Sequence, residues 1–490
     1  MRISVDRSST IPIYLQIKDN LKNKILAKEL LAKMKLPSER ELAKLLDVHR
    51  NTITKAYNEL KSEGLIESKH GVGYIVSPII KNENNLRHGK NKVNWHNAIK
   101  SYYLDYESTF DDIFISNQKE GVISFGGGMA SKEIFSEAKT AEMFKDILKN
   151  EEGSNQYFTL YKGDKVLRKE LVSFLSTKGI NSSEKNIQVM PEMNQALDFI
   201  VTILINEGDM VFLEEPISPD VYRTFKLAGA KIFTIEMDDQ GIITSGLDEL
   251  LELKKPKLIF VNAGYQDPSG VITSLDRRKE LLDVANRHRI PIIEEDENTD
   301  LYYEGFEMPT LKSMDEYDNV IYIYTFQFTF IPGLAMAFVV GNKKVVDSLS
   351  NLVSTRLMSL DWIKQRLLSR YLSDGTIIES MDEIRKLYQG KRDLMGERLN
   401  PLLNCGYEFS VPKGGVYYWC KLPEGVTSKK IYLEAKKHGI TLIPGEVFYP
   451  KGKKGHDRIR LNYSYESCEK ISDGIYKLVK LMEKETLARE

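Results

Sequence analysis

Along the first eighty positions, apolar residues recur first at helical and then at strand spacing. Ile13, Ile17, Leu21 and Ile25 stand four apart with Tyr14 and Leu15 beside them, which predicts a helix over residues 11–26. In LPSERELAKLL, residues 36–46, Ser38 and Glu41 have capping-box spacing after Pro37. A second helix should therefore begin at Ser38, with Leu42, Leu45 and Leu46 as its apolar face. After a turn at Asp47–Val48, HRNTITKAYNELKSEGLI predicts a third helix ended by Gly64. It buries Ile53, Ala56, Tyr57 and Leu60 and turns Arg50, Asn51, Thr52, Thr54 and Lys55 the other way. LIESKHGVGYIV then alternates apolar and polar residues around Gly71-Val72-Gly73, as a two-stranded hairpin does. Three helices and a glycine-tipped hairpin make a winged helix-turn-helix.

Residues 78–93 lose all apolar period and read as a linker, and helical character returns over 94–118. From Val122 onward short apolar runs alternate with helical patterns: KNIQVM, DMVFLEE, AKIFTIEM, KLIFVNA, IPIIEED and NVIYIYT. Near-continuous apolar strands separated by helices predict a mostly parallel sheet covered on both faces. After about Leu360 come helices and a smaller mixed α/β region ending in IRLNYSY. The expected division is a winged helix at 8–77, a linker at 78–115, a large α/β domain at 116–360 and a small C-terminal α/β domain at 361–485.

Composition adds one asymmetry. The chain has 490 residues and a net charge of −1, yet residues 1–78 carry 14 Lys and Arg against 9 Asp and Glu. A small basic module on a larger acidic body points to a polyanion as the partner of the first part alone. Cys405, Cys420 and Cys468 have no CxxC spacing, and the seven histidines form no ligand-spaced cluster, so neither a disulfide framework nor a metal is expected. No apolar run of about 18 residues predicts a membrane span, and MRISVDRSST lacks a secretory pattern. The expected location is the cytoplasm.

The segment from about Pro12 to Val76 closely resembles the GntR-type DNA-binding domain, in the pattern PSER…RNT…AY…L…G…G-x-G. The resemblance implies double-stranded DNA as partner, with Arg50, Asn51, Thr52 and Thr54 opening a recognition helix. Ser38 and Arg40 would meet phosphates, aided by a helix amino-terminus. Lys69 would contact the backbone, and His70, Gly71 and Gly73 would form the wing tip. His49 would either cap the third helix or touch a base.

PSGVITSLDRRKELLDVANRHRIPIIEED, TFQFTFIPGLAMAFVVGN and PKGGVYYWCKLP…GITLIPGEVFY…RIRLNYS are similar, in order and spacing, to a fold-type I aminotransferase. Behind a GntR-type domain, they make the chain resemble the MocR/GabR regulators. That family implies pyridoxal 5′-phosphate on a lysine aldimine, sensing of an amino compound and a homodimer. This chain departs from the pattern where the cofactor would sit. The Schiff-base lysine position holds Phe328, which has no nitrogen. Glu295 stands where a carboxylate pairs with the pyridinium, and the tyrosine two residues on is Glu297. The phosphate turn holds Glu192 and Met193, the P-G-Y aromatic is Ser218, and the arginine after P-G-L is Ala335. Covalent pyridoxal phosphate and catalytic residues are therefore not expected. Arg460 matches the family's carboxylate clamp, and Gln266 lies near the residue that contacts the phenolic oxygen. Arg460 either receives a small carboxylate or amino-acid effector or forms an ion pair with Glu295, Glu297 or another acid. The Gly126-Gly127-Gly128 run reads as a loop beside the cavity, and Tyr417, Tyr418 and Trp419 as strand packing. The leading expectation is a ligand-responsive homodimeric regulator. Its alternatives are a pyridoxal-phosphate enzyme or a constitutive repressor with a purely structural second body.

Overall fold

The computed structural model describes residues 12–26, 29–62, 64–69, 73–77, 99, 113, 116–117, 119–150, 161–357, 359–450 and 454–487. The chain divides into two compact units, 1–106 and 107–490. Most of the expected linker and the helical character expected over 94–118 lie outside the described residues, as do His70, Gly71, Val72 and Lys451 to Lys453.

The first unit contains α1 (Ile13–Leu26), α2 (Glu39–Leu46), α3 (Arg50–Ser62), β1 (Ile66–Lys69) and β2 (Gly73–Val76). The expected capping box is present at α2: the Ser38 hydroxyl accepts from the Glu41 N–H at 3.3 Å, and the Glu41 carboxylate accepts from the Ser38 N–H at 2.8 Å. Asp47, in the left-handed conformation, closes α2, and Gly64 at φ +72° follows α3. β1 and β2 pair antiparallel, with Lys69 opposite Gly73. Ile17, Leu21, Ile25, Leu42, Ile53, Ala56, Tyr57 and Leu60 form one core. Leu45 departs from the expected stripe and is 63% exposed. A helix of only eight residues buries Leu42 and Ala43 and leaves the next turn to solvent.

The second unit is built on an eight-stranded sheet whose strands are β4 (Ile187–Met190), β5 (Met210–Glu215), β6 (Lys231–Asp238), β7 (Gly241–Ile242), β8 (Ile259–Val261), β9 (Ile292–Asp296), β10 (Val320–Thr325) and β11 (Ala337–Val340). β3 (Ile123–Ser124) lies outside this sheet and is taken up below. The spatial order is β4-β11-β10-β9-β8-β5-β6-β7. Neighbours from β10 through β6 are parallel, whereas β11 is antiparallel to both its partners and β7 to β6. All six runs singled out from the sequence are strands of this sheet. The burial of β9 and β10 at every position is what a sheet covered on both faces requires. Between the strands run α4 (Glu137–Asn150) and α5 (Lys165–Thr177) before β4, α6 (Met193–Leu204) after β4, α7 (Pro219–Leu227) after β5, α8 (Leu247–Lys254) after β7 and α9 (Leu275–His288) after β8.

Beyond the sheet come α10 (Lys343–Arg356), α11 (Trp362–Ser373) and the long α12 (Thr376–Leu399). A smaller sheet of β12 (Tyr417–Lys421), β15 (Arg458–Asn462) and β14 (Ile443–Pro444) follows, with α13 (Ser428–Lys437) and α14 (Cys468–Leu487). β3 pairs parallel with β13 (Ile440–Thr441), so the residues that open the unit are stitched to its C-terminal region.

Candidate functional site

On the first unit, the exposed side of α3 is organised by short-range bonds. The Asn51 N–H donates to His49 Nδ1 at 3.2 Å, so His49 caps α3. Arg50 donates through Nε and Nη2 to Glu39 Oε2 at 3.1 and 3.0 Å, and the other oxygen of Glu39 accepts from the Tyr74 hydroxyl at 3.3 Å. Arg50 is therefore held on α2, while Asn51, Thr54, Lys55 and Asn58 line an open groove. The Thr54 hydroxyl donates back to the Arg50 carbonyl at 3.2 Å, and Lys55 lies over the Tyr14 ring at 3.7 Å. Thr52 is half-buried, Arg40 is exposed on α2, and Lys69 is exposed at the end of β1. Gly73 opens β2 at φ +97°, a backbone that favours glycine.

In the second unit, the turns that leave the carboxyl ends of β4, β5, β9 and β10 converge, the usual ligand position in sheets of this kind. They meet β12 and β15 around a cavity of about 1060 Å³. From β4 to α6 come Glu192, Met193, Asn194 and Gln195; from β5 to α7 come Ser218 and Asp220. The end of β9 supplies Glu295 and Glu297, the turn after β10 supplies Gln327, and Ala335 stands before β11. Gly126, Gly127 and Gly128, Asp267, Lys364, Tyr417 and Arg460 complete the wall.

Arg460 is 3% exposed and already paired: Nη1 donates to Asp267 Oδ1 at 2.5 Å and Nη2 to the Gly126 carbonyl at 3.3 Å. The guanidinium also lies over the Tyr417 ring at 4.3 Å. The ion pair therefore forms with Asp267, not with Glu295 or Glu297. Gln266 needs correcting as a candidate. It is fully buried, donates to Glu214 Oε1 at 3.1 Å and the Pro216 carbonyl at 2.6 Å, and accepts from the Ser269 N–H at 3.0 Å. Its neighbour Asp267 faces the cavity instead. Of the aromatic triplet, Tyr417 lines the cavity as well as packing in the core.

Burial pushes the Glu295 carboxyl well above the ordinary range, helped by the charge of Glu297. Burial raises Glu297 to about 8, with Asp267 adding to it. Asp220 is raised by burial too, and its carboxylate accepts from the Asn194 side chain.

The pyridoxal phosphate pocket is not reproduced by these residues. Phe328 is wholly buried in the core, edge-on to Tyr417 with ring centroids 6.4 Å apart, and its side chain carries no nitrogen. Lys364 is the lysine of the cavity wall among the described residues; its Nζ donates to the Pro191 carbonyl at 3.0 Å. At the start of α6, where N–H groups and the helix dipole favour an anion, Glu192 is the N-cap residue and its carboxylate caps no N–H. Five carboxyl groups against Lys364 and a neutralised Arg460 make a poor seat for a phosphate.

Residues 121–475 match the family of class I and II aminotransferases, and residues 13–76 match the gntR family of bacterial regulatory proteins. The chain belongs to the class I and II aminotransferase family, behind a gntR-family head. It is a regulator of the MocR/GabR kind. Over 480 residues, 98% of both chains, it is 29% identical to the uncharacterized HTH-type transcriptional regulator YdfD of Bacillus subtilis. To the HTH-type transcriptional regulator NorG of Staphylococcus aureus it is 25% identical over 460 residues, covering 92% of this chain and all of that one. The crystal structure of Pyrococcus horikoshii kynurenine aminotransferase superposes with a TM-score of 0.75 at 27% identity, covering 80% of this chain and 98% of that one. In this gntR-headed aminotransferase relative, the six departures from the cofactor pattern all fall in or against one cavity, Phe328 in the core beside Tyr417 and the other five in its wall.

Proposed function

We propose that this MocR/GabR-type protein is a homodimeric cytoplasmic regulator that binds double-stranded DNA through α3 and the wing. On this reading the aminotransferase-like unit senses a small metabolite without covalent pyridoxal phosphate. The observation that carries it is Phe328: a buried phenyl ring stands at the Schiff-base position, so imine chemistry has no nucleophile there. Asn51 and Thr54 read base edges from the exposed groove, while Ser38, Arg40 and Lys69 meet phosphates and Gly73 shapes the wing. Homodimerisation places two such heads on paired half-sites. The Arg460–Asp267 pair removes the support for a free carboxylate clamp, so the sensing role is retained without that contact.

The test has two arms on the full chain. Added pyridoxal phosphate is expected to give no imine absorbance and no borohydride-fixed adduct; a fixed adduct on any lysine would refute the cofactor-free reading. Fluorescence anisotropy on operator DNA, with and without candidate metabolites, is expected to show salt-dependent binding that one metabolite class shifts. DNA affinity indifferent to every metabolite would leave a constitutive repressor.

A further inference from the structure

The cavity wall holds more acid than its own cations can neutralise. Asp267 is paired with Arg460, and Asp220 accepts from the Asn194 side chain. Glu297 accepts one bond, from Asn298 Nδ2 at 3.0 Å. Glu295 is different. It is 4% exposed, it faces the cavity, and no hydrogen bond or ion pair from any described residue reaches its carboxyl group. A second polar group is in the same position: Tyr417 is 3% exposed and lines the cavity, and no described residue hydrogen-bonds its hydroxyl. Buried polar groups are nearly always satisfied, so an orphan acceptor and an orphan hydroxyl on one cavity wall point to a missing partner. That partner has to carry positive charge, because Glu297 stands beside the orphan carboxyl and the neighbouring arginine is already neutral in sum. A metal ion is disfavoured, since no group of three ligating side chains occurs among the described residues.

We propose that this cavity binds a small organic cation, an amine held as its ammonium ion by Glu295 and Glu297 with the Tyr417 hydroxyl, and that Arg460 takes no ligand carboxylate. The proposal rests on the sensor reading above and supplies its ligand class. Recognition is ionic: the ammonium donates to the carboxylates and no bond to the protein is made. Both terminal nitrogens of Arg460 already have acceptors, so a second carboxylate entering there would have to displace Asp267 and sit among the remaining acids. Phe328 and the Tyr417 ring give the amine's carbon skeleton an aromatic wall.

Titration calorimetry of the full chain with n-butylamine, 1,4-diaminobutane and glutarate tests this. The amines are expected to bind and glutarate to give no heat. Glu295→Gln should weaken amine binding by about tenfold or more, as loss of a charge-assisted bond does. Asp267→Asn provides an independent readout, because releasing Arg460 should let glutarate bind where the wild type does not. Glutarate binding to the wild type that Arg460→Ala abolishes, amine affinity unchanged in a folded Glu295→Gln protein, or no amine heat at all would each overturn the proposal. Operator binding measured on the same preparation separates the two readings. Intact DNA affinity without amine binding defeats the amine site alone, whereas loss of DNA affinity in the wild type defeats the regulator itself.

Discussion

The two units of this chain treat their inherited patterns in opposite ways. In the head, the residues that shape the fold and those that face outward both keep the pattern: Ser38 and Glu41 cap α2, and Asn51 and Thr54 stand free on α3. In the larger unit the strands, their order and the cavity are kept, while Phe328, Glu295, Glu297 and Glu192 replace the chemistry once expected there. Strand cores constrain volume and period, whereas a pocket wall constrains only what it binds, so a scaffold can outlast its reaction.

The largest effect that would sharpen this contrast is on pH dependence. Burial raises Glu214 and Glu297 to about 8 and Glu294 to about 7. The folded unit then holds protons that the unfolded chain has lost, so its stability falls as pH rises from about 4.5 to about 8. In the head, the Ser38 backbone N–H lowers Glu41, so that contribution is present at neutral pH and lost on acidification. Calorimetric melts across this range should show the two units moving in opposite senses; parallel movement would break the comparison. Next in size, Leu60→Ala should destabilise the head by about 2–5 kcal/mol and leave the melting of the larger unit unmoved. Asn51→Ala should cost about 1–3 kcal/mol on the operator and relax one base preference, while Lys69→Ala should weaken all sequences alike and lower the salt slope by about 1. The smallest is Ser38→Ala, about 1 kcal/mol of head stability in urea titrations.

Much of the scaffold was legible because period and caps are local. Six apolar runs correspond to six strands, and the Ser38–Glu41 spacing gives the observed capping box. β11 was not singled out as a strand; an apolar run does not announce that it enters antiparallel between β4 and β10. The cavity was less legible. Asp267 and Arg460 are 193 positions apart, so only the folded sheet brings them together. Gln266 and Asp267 lie in a turn beyond β8, where strand alternation no longer says which neighbour faces inward. The same limit applies to Leu45, whose helical spacing cannot reveal how little of a short helix is covered. Glu295 and Tyr417 were each visible, one as a substituted cofactor position and the other as packing. That both lack partners is a property of the assembled wall.

Glu39 carries a consequence of its own. One carboxylate receives Arg50 from α3 on one oxygen and Tyr74 from β2 on the other. The element aimed at base edges and the element aimed at the sugar-phosphate rail are thereby tethered to a common post. Drift in either would be transmitted to the other, so the two grips on an operator evolve as one adjustment.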